Sequence, residues 1–212
     1  HLRSAAAPAR AQISAPGTGA GGFLMGAVIA LMLAQGVLGA ADTLYYHEWR
    51  FRLTGHVPET RIELQLHAAR DFIYAVIFGT LPWFAWSGGW AYVLGGLLFA
   101  EIVITLTDFV VERRTRASQG GLATGEFLTH VVMAIIYGAF LATLAPHLWA
   151  WTAMETGFLA HDVVSPEVGG LCGLMAAGVF VSGVRDLGAS LGVAVCRWPW
   201  TDEALRDAPP PP

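Results

Sequence analysis

Five long apolar runs constrain this chain more than any other feature of its sequence. They cover about residues 22–41, 61–86, 90–111, 127–151 and 168–195. A helix needs roughly 20 residues to cross the hydrocarbon core of a bilayer, and each run is long enough. Only 13% of the residues are charged, which is about half of the share in soluble domains. The sequence therefore predicts an all-α integral membrane protein with about five transmembrane helices.

The connections between the runs predict how the helices are arranged. Only Ser87, Gly88 and Gly89 separate the second span from the third, so these two helices are expected to form a tight hairpin. We predict that spans one to four form an antiparallel four-helix bundle, with the fifth helix packed alongside. Residues 1–20 and the Pro-rich residues 201–212 are predicted to be disordered tails on either side of one domain at 21–200.

The distribution of arginine predicts the orientation of the spans. Basic residues are enriched in cytoplasmic loops. The loops after the first and third spans carry them, whereas residues 87–89 and 152–167 have none. We therefore predict an N-terminus outside and a C-terminus in the cytoplasm. The arginines behind this prediction are Arg50, Arg52, Arg61, Arg113, Arg114 and Arg116.

Ionisable side chains are concentrated at one depth of the predicted helices. A charged residue at mid-helix costs on the order of 2.5–3.5 kcal/mol on insertion scales, so such residues point to a functional site. In the predicted topology they fall in the cytoplasmic half of four helices. The candidate metal ligands are Asp42, Glu63, His67, Glu101, Asp108, Glu126 and His130.

Helical spacing groups four of these candidates into two pairs. Glu63 and His67 are four residues apart, and so are Glu126 and His130. Residues at i and i+4 lie on the same face of a helix. Each pair can therefore present a carboxylate and an imidazole to the same side.

Two single carboxylates complete a recognisable pattern: Asp42 on the first span, and either Glu101 or Asp108 on the third. This arrangement resembles the ferritin-like di-iron carboxylate proteins and, more distantly, the membrane di-iron oxidases. The family pair is Glu-x-x-His, whereas both pairs here are Glu-x-x-x-His. The resemblance implies two iron or manganese ions, which suit oxygen-rich sites with a few imidazoles.

Further polar residues are predicted to lie beside these ligands. His47 stands about 140° around a regular α-helix from Asp42, so the two are not expected to point inward together. Glu112 is expected to be solvated at the membrane surface. The predicted neighbours are Tyr46, His47, Arg70, Asp71, Tyr74, Tyr137, Arg185 and Asp186.

Small residues recur every four positions in the first span, at Gly22, Gly26, Ala30 and Ala34. Such stripes allow close helix packing in lipid. We expect this stripe to face a neighbouring helix, and we expect Asp42, which lies further along the same line, to face that helix as well. The fifth span is also rich in glycine, which predicts close packing there.

The leading functional hypothesis is a di-metal oxidoreductase acting on a lipophilic substrate such as a fatty acyl chain, isoprenoid, carotenoid or quinol. Its electrons would come from a separate donor protein. The alternative is an accessory or anchor subunit of a larger complex or a homo-oligomer, held by the Gly-rich helix faces. A b-type haem on His67 and His130, or a zinc hydrolase site, is less favoured.

Other classes of protein are disfavoured by charge and motifs. The formal net charge is −4 and there is no basic run, which argues against nucleic-acid binding. The sequence carries no nucleotide-binding motif. The run at 42–49 looks like that of uncharacterised bacterial multi-pass proteins, a resemblance that implies a bacterial cytoplasmic membrane but no function.

Overall fold

A computed structural model describes residues 20–57, 59–117 and 120–200. These residues are mostly helical, as predicted. The five α-helices are α1 (Ala20–Asp42), α2 (Arg61–Thr80), α3 (Gly89–Ala117), α4 (Thr124–Thr152) and α5 (Pro166–Ser190). A π-helix covers Thr43–Arg50, and 3-10 helices cover Leu53–Gly55 and Ala194–Arg197. The predicted tails at 1–20 and 201–212 lie outside the described residues, except for Ala20.

Four helical segments among the described residues are long and apolar enough to cross a membrane. They are Gly22–Arg50, Gly89–Ala117, Thr124–Thr152 and Pro166–Ser190. Only 17–22% of each apolar stretch is buried within the protein, as expected for helices that face lipid. Helix α2 has 20 residues but carries four charged ones, so its membrane crossing remains a prediction.

Helix α3 extends past the predicted end of the third span near residue 111. It continues to Ala117, which places Arg113, Arg114 and Arg116 on a helix. Arg113 and Arg114 are exposed, whereas Arg116 is buried. The prediction that these three arginines lie in the loop after the third span is therefore wrong.

Glycine on α5 is used for packing against α2. The most extensive helix contacts are those of α5 with α2 and of α1 with α4. A Cβ atom at Gly183 would lie 3.0 Å from the Asp71 Cβ and 3.3 Å from the Ala68 carbonyl oxygen. The absent side chain thus lets the two backbones approach closely. Helix α5 begins at Pro166. The preceding residue, Ser165, caps the helix by accepting a hydrogen bond from the Val168 N–H.

The small-residue stripe of α1 faces outward, contrary to expectation. A Cβ at Gly26 would have nothing within 4 Å, and Ala30 and Ala34 are exposed. A step of four residues rotates about 40° around a helix, so the line from Gly26 has turned about 160° at Asp42. Asp42 is buried although the stripe is not. The apolar residues that α1 buries are Met25, Val28, Ile29 and Met32.

Two short strands lie at the ends of α2 and α4. Strand β1 (Phe84–Ser87) pairs antiparallel with β2 (Gly157–Ala160). The second helix therefore ends at Thr80, not near residue 86, and the chain is not purely helical. Gly88 follows β1 with a φ of 58°, a conformation that favours glycine, and its N–H donates to the Trp151 carbonyl at 2.8 Å.

The contact of α2 with α5 yields a first prediction. Gly183→Leu places a side chain where Asp71 and Phe72 already lie, and overpacking costs about 1–3 kcal/mol. Gly170→Leu is the matched control, because a Cβ there meets nothing within 4 Å. We expect a clearly lower thermal midpoint in detergent for Gly183→Leu alone. Equal midpoints would contradict the close packing of α2 on α5.

Candidate metal centre

Ionisable side chains from all five helices meet at one place. The C-terminal ends of α1 (with its π-helical continuation), α3 and α5 contribute, and so do the N-terminal ends of α2 and α4. None of these residues is more than 7% exposed, and each contacts another. We call them the polar cluster: Asp42, His47, Glu63, His67, Asp108, Glu112, Arg116, Glu126, His130 and Asp186.

Asp42 and two imidazoles form the first group within the cluster. His47 Nε2 lies 3.4 Å from Asp42 Oδ2, and His130 Nε2 lies 3.2 Å from the same oxygen. These three side chains offer ligand atoms within 4.8 Å of one another. Together they could hold one metal ion.

A π-helix brings His47 to Asp42. The Phe51 N–H donates to the Tyr46 carbonyl at 2.8 Å, five residues back. In a π-helix the hydrogen bonds run from i to i+5, so residue 47 lies one turn above residue 42. The expectation that Asp42 and His47 cannot both point inward is wrong, because it assumed the 100° step of an α-helix.

His47 also belongs to a second group, with Glu112 and Glu126. Its Nε2 lies 4.0 Å from Glu126 Oε1. Glu112 Oε2 lies 3.3 Å from Nδ1 of His130, which links the two groups. Glu112 is 1% exposed, so the expectation that it is solvated at the membrane surface is wrong. His47 thus stands between two sets of donors.

Arg116 occupies the carboxylate-rich side of the cluster. Its Nη2 lies 2.9 Å from Glu63, 3.4 Å from Glu112 and 3.1 Å from Glu126. The guanidinium also lies over the Phe51 ring, 4.3 Å from its centroid. One buried cation therefore joins α2, α3 and α4.

His67 lies between two carboxylates from other helices. Its Nε2 is 3.2 Å from Asp108 and its Nδ1 is 3.8 Å from Asp186. The ring stacks on His47 with centroids 4.5 Å apart. Arg70 reaches the same Asp108 oxygen, at 3.3 Å. Glu63 and His67 thus contact different partners, although both lie in the polar cluster.

Glu101 lies apart from the polar cluster, whereas Asp108 lies within it. The Tyr74 and Thr105 hydroxyls donate to Glu101 Oε1 at 2.9 and 2.8 Å. Seven residues of helix, about 10 Å, separate Glu101 from Asp108. Of the two candidates on the third span, only Asp108 is therefore placed beside the imidazoles. Tyr137 is nearby, and its hydroxyl donates to the Leu98 carbonyl at 3.3 Å.

The remaining predicted neighbours have separate surroundings. Arg185 forms an ion pair with Glu48 and donates to Thr54 Oγ1 at 3.0 Å. Asp186 joins the cluster through His67. Tyr46 packs against the small apolar group around Phe51, and Asp71 lines a cavity.

The cluster contains more acid than base. Its six carboxylates face the guanidinium of Arg116 and that of neighbouring Arg70, together with three imidazoles. Within the described part of the chain, Asp42 Oδ1, Asp108 Oδ1 and Glu126 Oε2 are buried without a hydrogen-bond partner. Buried charge requires a counter-charge. Oxygen and imidazole donors of this kind fit iron or manganese.

A cavity of about 560 Å³ leads from the polar cluster between the helices. Asp42, Arg70 and His130 lie on its wall together with many apolar side chains. All five helices contribute to its lining. Its volume falls in the range of about 300–1,000 Å³ that is typical of ligand pockets. A lipophilic molecule in this cavity would reach the imidazole of His130.

Comparison with protein-family models, with curated proteins and with solved structures gives no match.

Two members of the cluster, Glu112 and Arg116, were not predicted as site residues, and His47 was predicted only as a neighbour of the ligands. Glu112 and Arg116 carry a signal in the sequence, because Asp108, Glu112 and Arg116 follow one another at intervals of four residues. That spacing marks one face of a helix and shows that α3 continues past residue 111. His47 has no such signal, because the π-helix is not evident from spacing.

Arg116 yields a second prediction. Removing one partner of a buried ion pair costs about 3–5 kcal/mol, because the other charges remain buried. We therefore expect Arg116→Met to be strongly destabilised in thermal unfolding. Arg113→Met, an exposed position three residues earlier, should unfold like the wild type. An equally stable Arg116→Met protein would show that the three carboxylates do not depend on this guanidinium.

Proposed function

We propose that this protein is an integral membrane oxidoreductase that holds two metal ions, iron or manganese, and acts on a lipophilic substrate. One observation carries the proposal. Two buried groups of imidazole and carboxylate donors share His47, beside an apolar cavity that passes between the helices.

The charge of the polar cluster supports two divalent ions. Six carboxylates and the guanidiniums of Arg116 and Arg70 leave four negative charges when the imidazoles are neutral. Neutral imidazole is also the form that binds metal. Two divalent cations would balance this charge without any further protonation.

Asp42, His47 and His130 would hold one ion, and Glu112 and Glu126 would supply oxygen donors for the other. A neutral imidazole has a single lone pair, so His47 would bind only one of the two ions. When bound, the metal would supply the redox chemistry. Arg116 would orient Glu112 and Glu126 by hydrogen bonds, a role that such outer partners have in metal sites. The apolar lining of the cavity would exclude water from the donors.

The substrate would enter from the membrane. Many side chains around the cavity are apolar, such as Ile102, Met133 and Leu141, and these favour a lipid-like molecule. A separate donor protein would supply the electrons.

We further propose that α1 to α4 form an antiparallel bundle with α5 alongside, in a bacterial cytoplasmic membrane. The C-terminal ends of α1, α3 and α5 meet the N-terminal ends of α2 and α4 in the polar cluster, which supports alternating directions. The exposed Arg113 and Arg114 lie at this end, which supports a cytoplasmic location of the cluster. The N-terminus would then lie outside.

A second candidate is an accessory or anchor subunit in which the cluster is purely structural. The position of Arg116 favours it, because one guanidinium already pairs with three carboxylates. The outward stripe at Gly26, Ala30 and Ala34 also suits contact with another helix, from a larger complex or from a second copy. Metal content distinguishes the two candidates.

Metal content provides the third prediction. We expect about two iron or manganese ions per chain in detergent-purified protein, measured by elemental analysis after incubation with Fe²⁺ or Mn²⁺. An Asp42→Asn, His130→Gln double variant should lose metal, because both donors of the first group are weakened. Glu101→Gln is the control carboxylate change and should retain metal, since Glu101 lies outside the cluster.

Four outcomes would contradict the di-metal proposal. Folded wild-type protein without metal would favour the structural subunit. One zinc ion per chain would favour a hydrolase, and an intense Soret band would favour haem. Equal metal content in the double variant and in wild type would place the ions elsewhere.

Membrane orientation provides the fourth prediction. In intact bacterial cells a membrane-impermeant thiol reagent should label Asp162→Cys, in the loop before α5, but not Arg113→Cys at the end of α3. Both positions are exposed on the protein, so labelling depends only on which side of the membrane each one faces. The parent protein with its native Cys172 and Cys196 gives the background. The reverse labelling would contradict the proposed orientation.

A further inference from the structure

The carboxylate of Glu101 is buried, but only one of its oxygens is hydrogen-bonded. Glu101 is only 3% exposed. Oε1 accepts both hydrogen bonds, from Tyr74 at 2.9 Å and from Thr105 at 2.8 Å. Oε2 has no partner among the described residues. A buried polar atom without a partner is costly, so this oxygen indicates a missing ligand.

Glu101 lies on the wall of the cavity of about 560 Å³. Tyr74 and Thr105, its two hydrogen-bond donors, line the same cavity. Both donors are already used on Oε1, which leaves Oε2 as the group that can receive a molecule in the cavity. The same cavity is lined by apolar side chains such as Ile102 and Leu141 and by the polar Tyr137, whose hydroxyl donates to the Leu98 carbonyl.

The chemistry of Oε2 selects one functional group. An ionised carboxylate accepts a hydrogen bond, and a protonated one also donates. A hydroxyl group can do both, so it matches Glu101 in either state. A ligand carboxylate would repel an ionised Glu101, and an ammonium group would match only the ionised form, because a protonated Glu101 carries no charge to pair with it.

We propose that the cavity binds a lipophilic alcohol whose hydroxyl group hydrogen bonds to Oε2 of Glu101. Glu101 and Asp108 are about 10 Å apart along α3, so the hydroxyl group is held away from the polar cluster. The apolar chain then extends past Ile102 and Phe109 towards Asp42 and His130. Glu101 is a positioning residue: it sets which part of the chain reaches the metal donors. This inference names the substrate class of the proposed metal site and rests on that function for turnover, although not for binding.

The test uses photo-crosslinking of the full chain in lipid nanodiscs. The probes are a hexadecanol that carries a diazirine in its chain and the methyl ether of the same molecule, which can accept but not donate a hydrogen bond. Peptide mass spectrometry locates the crosslinks. We expect the alcohol to label cavity-lining segments of α3 and α4 about tenfold more than the ether, the ratio that one hydrogen bond provides.

Variants at the site sharpen the comparison. Glu101→Leu should reduce alcohol labelling to the level of the ether. Glu101→Gln, whose amide group can both accept and donate, should retain most of the alcohol labelling but should also be labelled by the ether, because its N–H donates to either probe. Tyr74→Phe, which leaves the carboxylate in place, should also retain the alcohol labelling. Equal labelling by alcohol and ether in wild type would overturn the inference, and so would unchanged labelling in folded Glu101→Leu.

Metal loading separates this inference from the proposed function. The crosslinking is repeated with protein treated with a chelator and with protein loaded with Fe²⁺ or Mn²⁺. A preference for the alcohol in a chain that binds no metal would support the alcohol site and overturn the metal centre. Two metal ions per chain without any preference would overturn the alcohol site alone.

Discussion

The burial of Arg116 among three carboxylates is the interaction on which the rest of the structure depends. A guanidinium with no exposed surface is tolerated only where opposite charges surround it. Its partners Glu63, Glu112 and Glu126 come from α2, α3 and α4. These three helix ends must therefore meet at one depth. Hydrophobic burial alone would not impose this, because apolar helices in lipid can slide past one another with little change in environment.

The same interaction reaches the unusual part of α1. Arg116 lies over the ring of Phe51, and the Phe51 N–H closes the last i to i+5 hydrogen bond of the π-helix. A π-helix is rare and is found mostly at functional sites. Here it lets one helix present Asp42 and His47 to the same place. The stacking of His47 on His67 then connects this group to Asp108 and Asp186, so that α5 joins the site as well.

The sequence predicts those features that depend on hydropathy and on regular helical spacing. The lengths of the apolar runs indicate the membrane-spanning helices. The positions of the pairs Glu63/His67 and Glu126/His130 along their helices indicate the depth of the site. The π-helix at His47 could not be predicted, because the spacing argument assumes a regular α-helix. A four-residue repeat rotates about 40° around the helix at each step. The stripe at Gly26 and the side chain of Asp42 therefore face different directions, which four-residue spacing alone does not show. The choice between Glu101 and Asp108 depends on which helix lies opposite, and that is a tertiary property.

The polar cluster has two sides with different sources of positive charge. On one side Arg116 stacks on Phe51 and neutralises part of the carboxylate charge permanently, since a guanidinium does not lose its proton in proteins. On the other side Asp42 and His130 line the apolar cavity, and there the available counter-charges are imidazoles or a bound cation. A fixed cation behind the carboxylates holds Glu112 and Glu126 in place without occupying the position next to the cavity. Arg116 thus holds the ends of three helices together, whereas in the proposed function the groups around His47 and His130 would bind an ion beside the substrate.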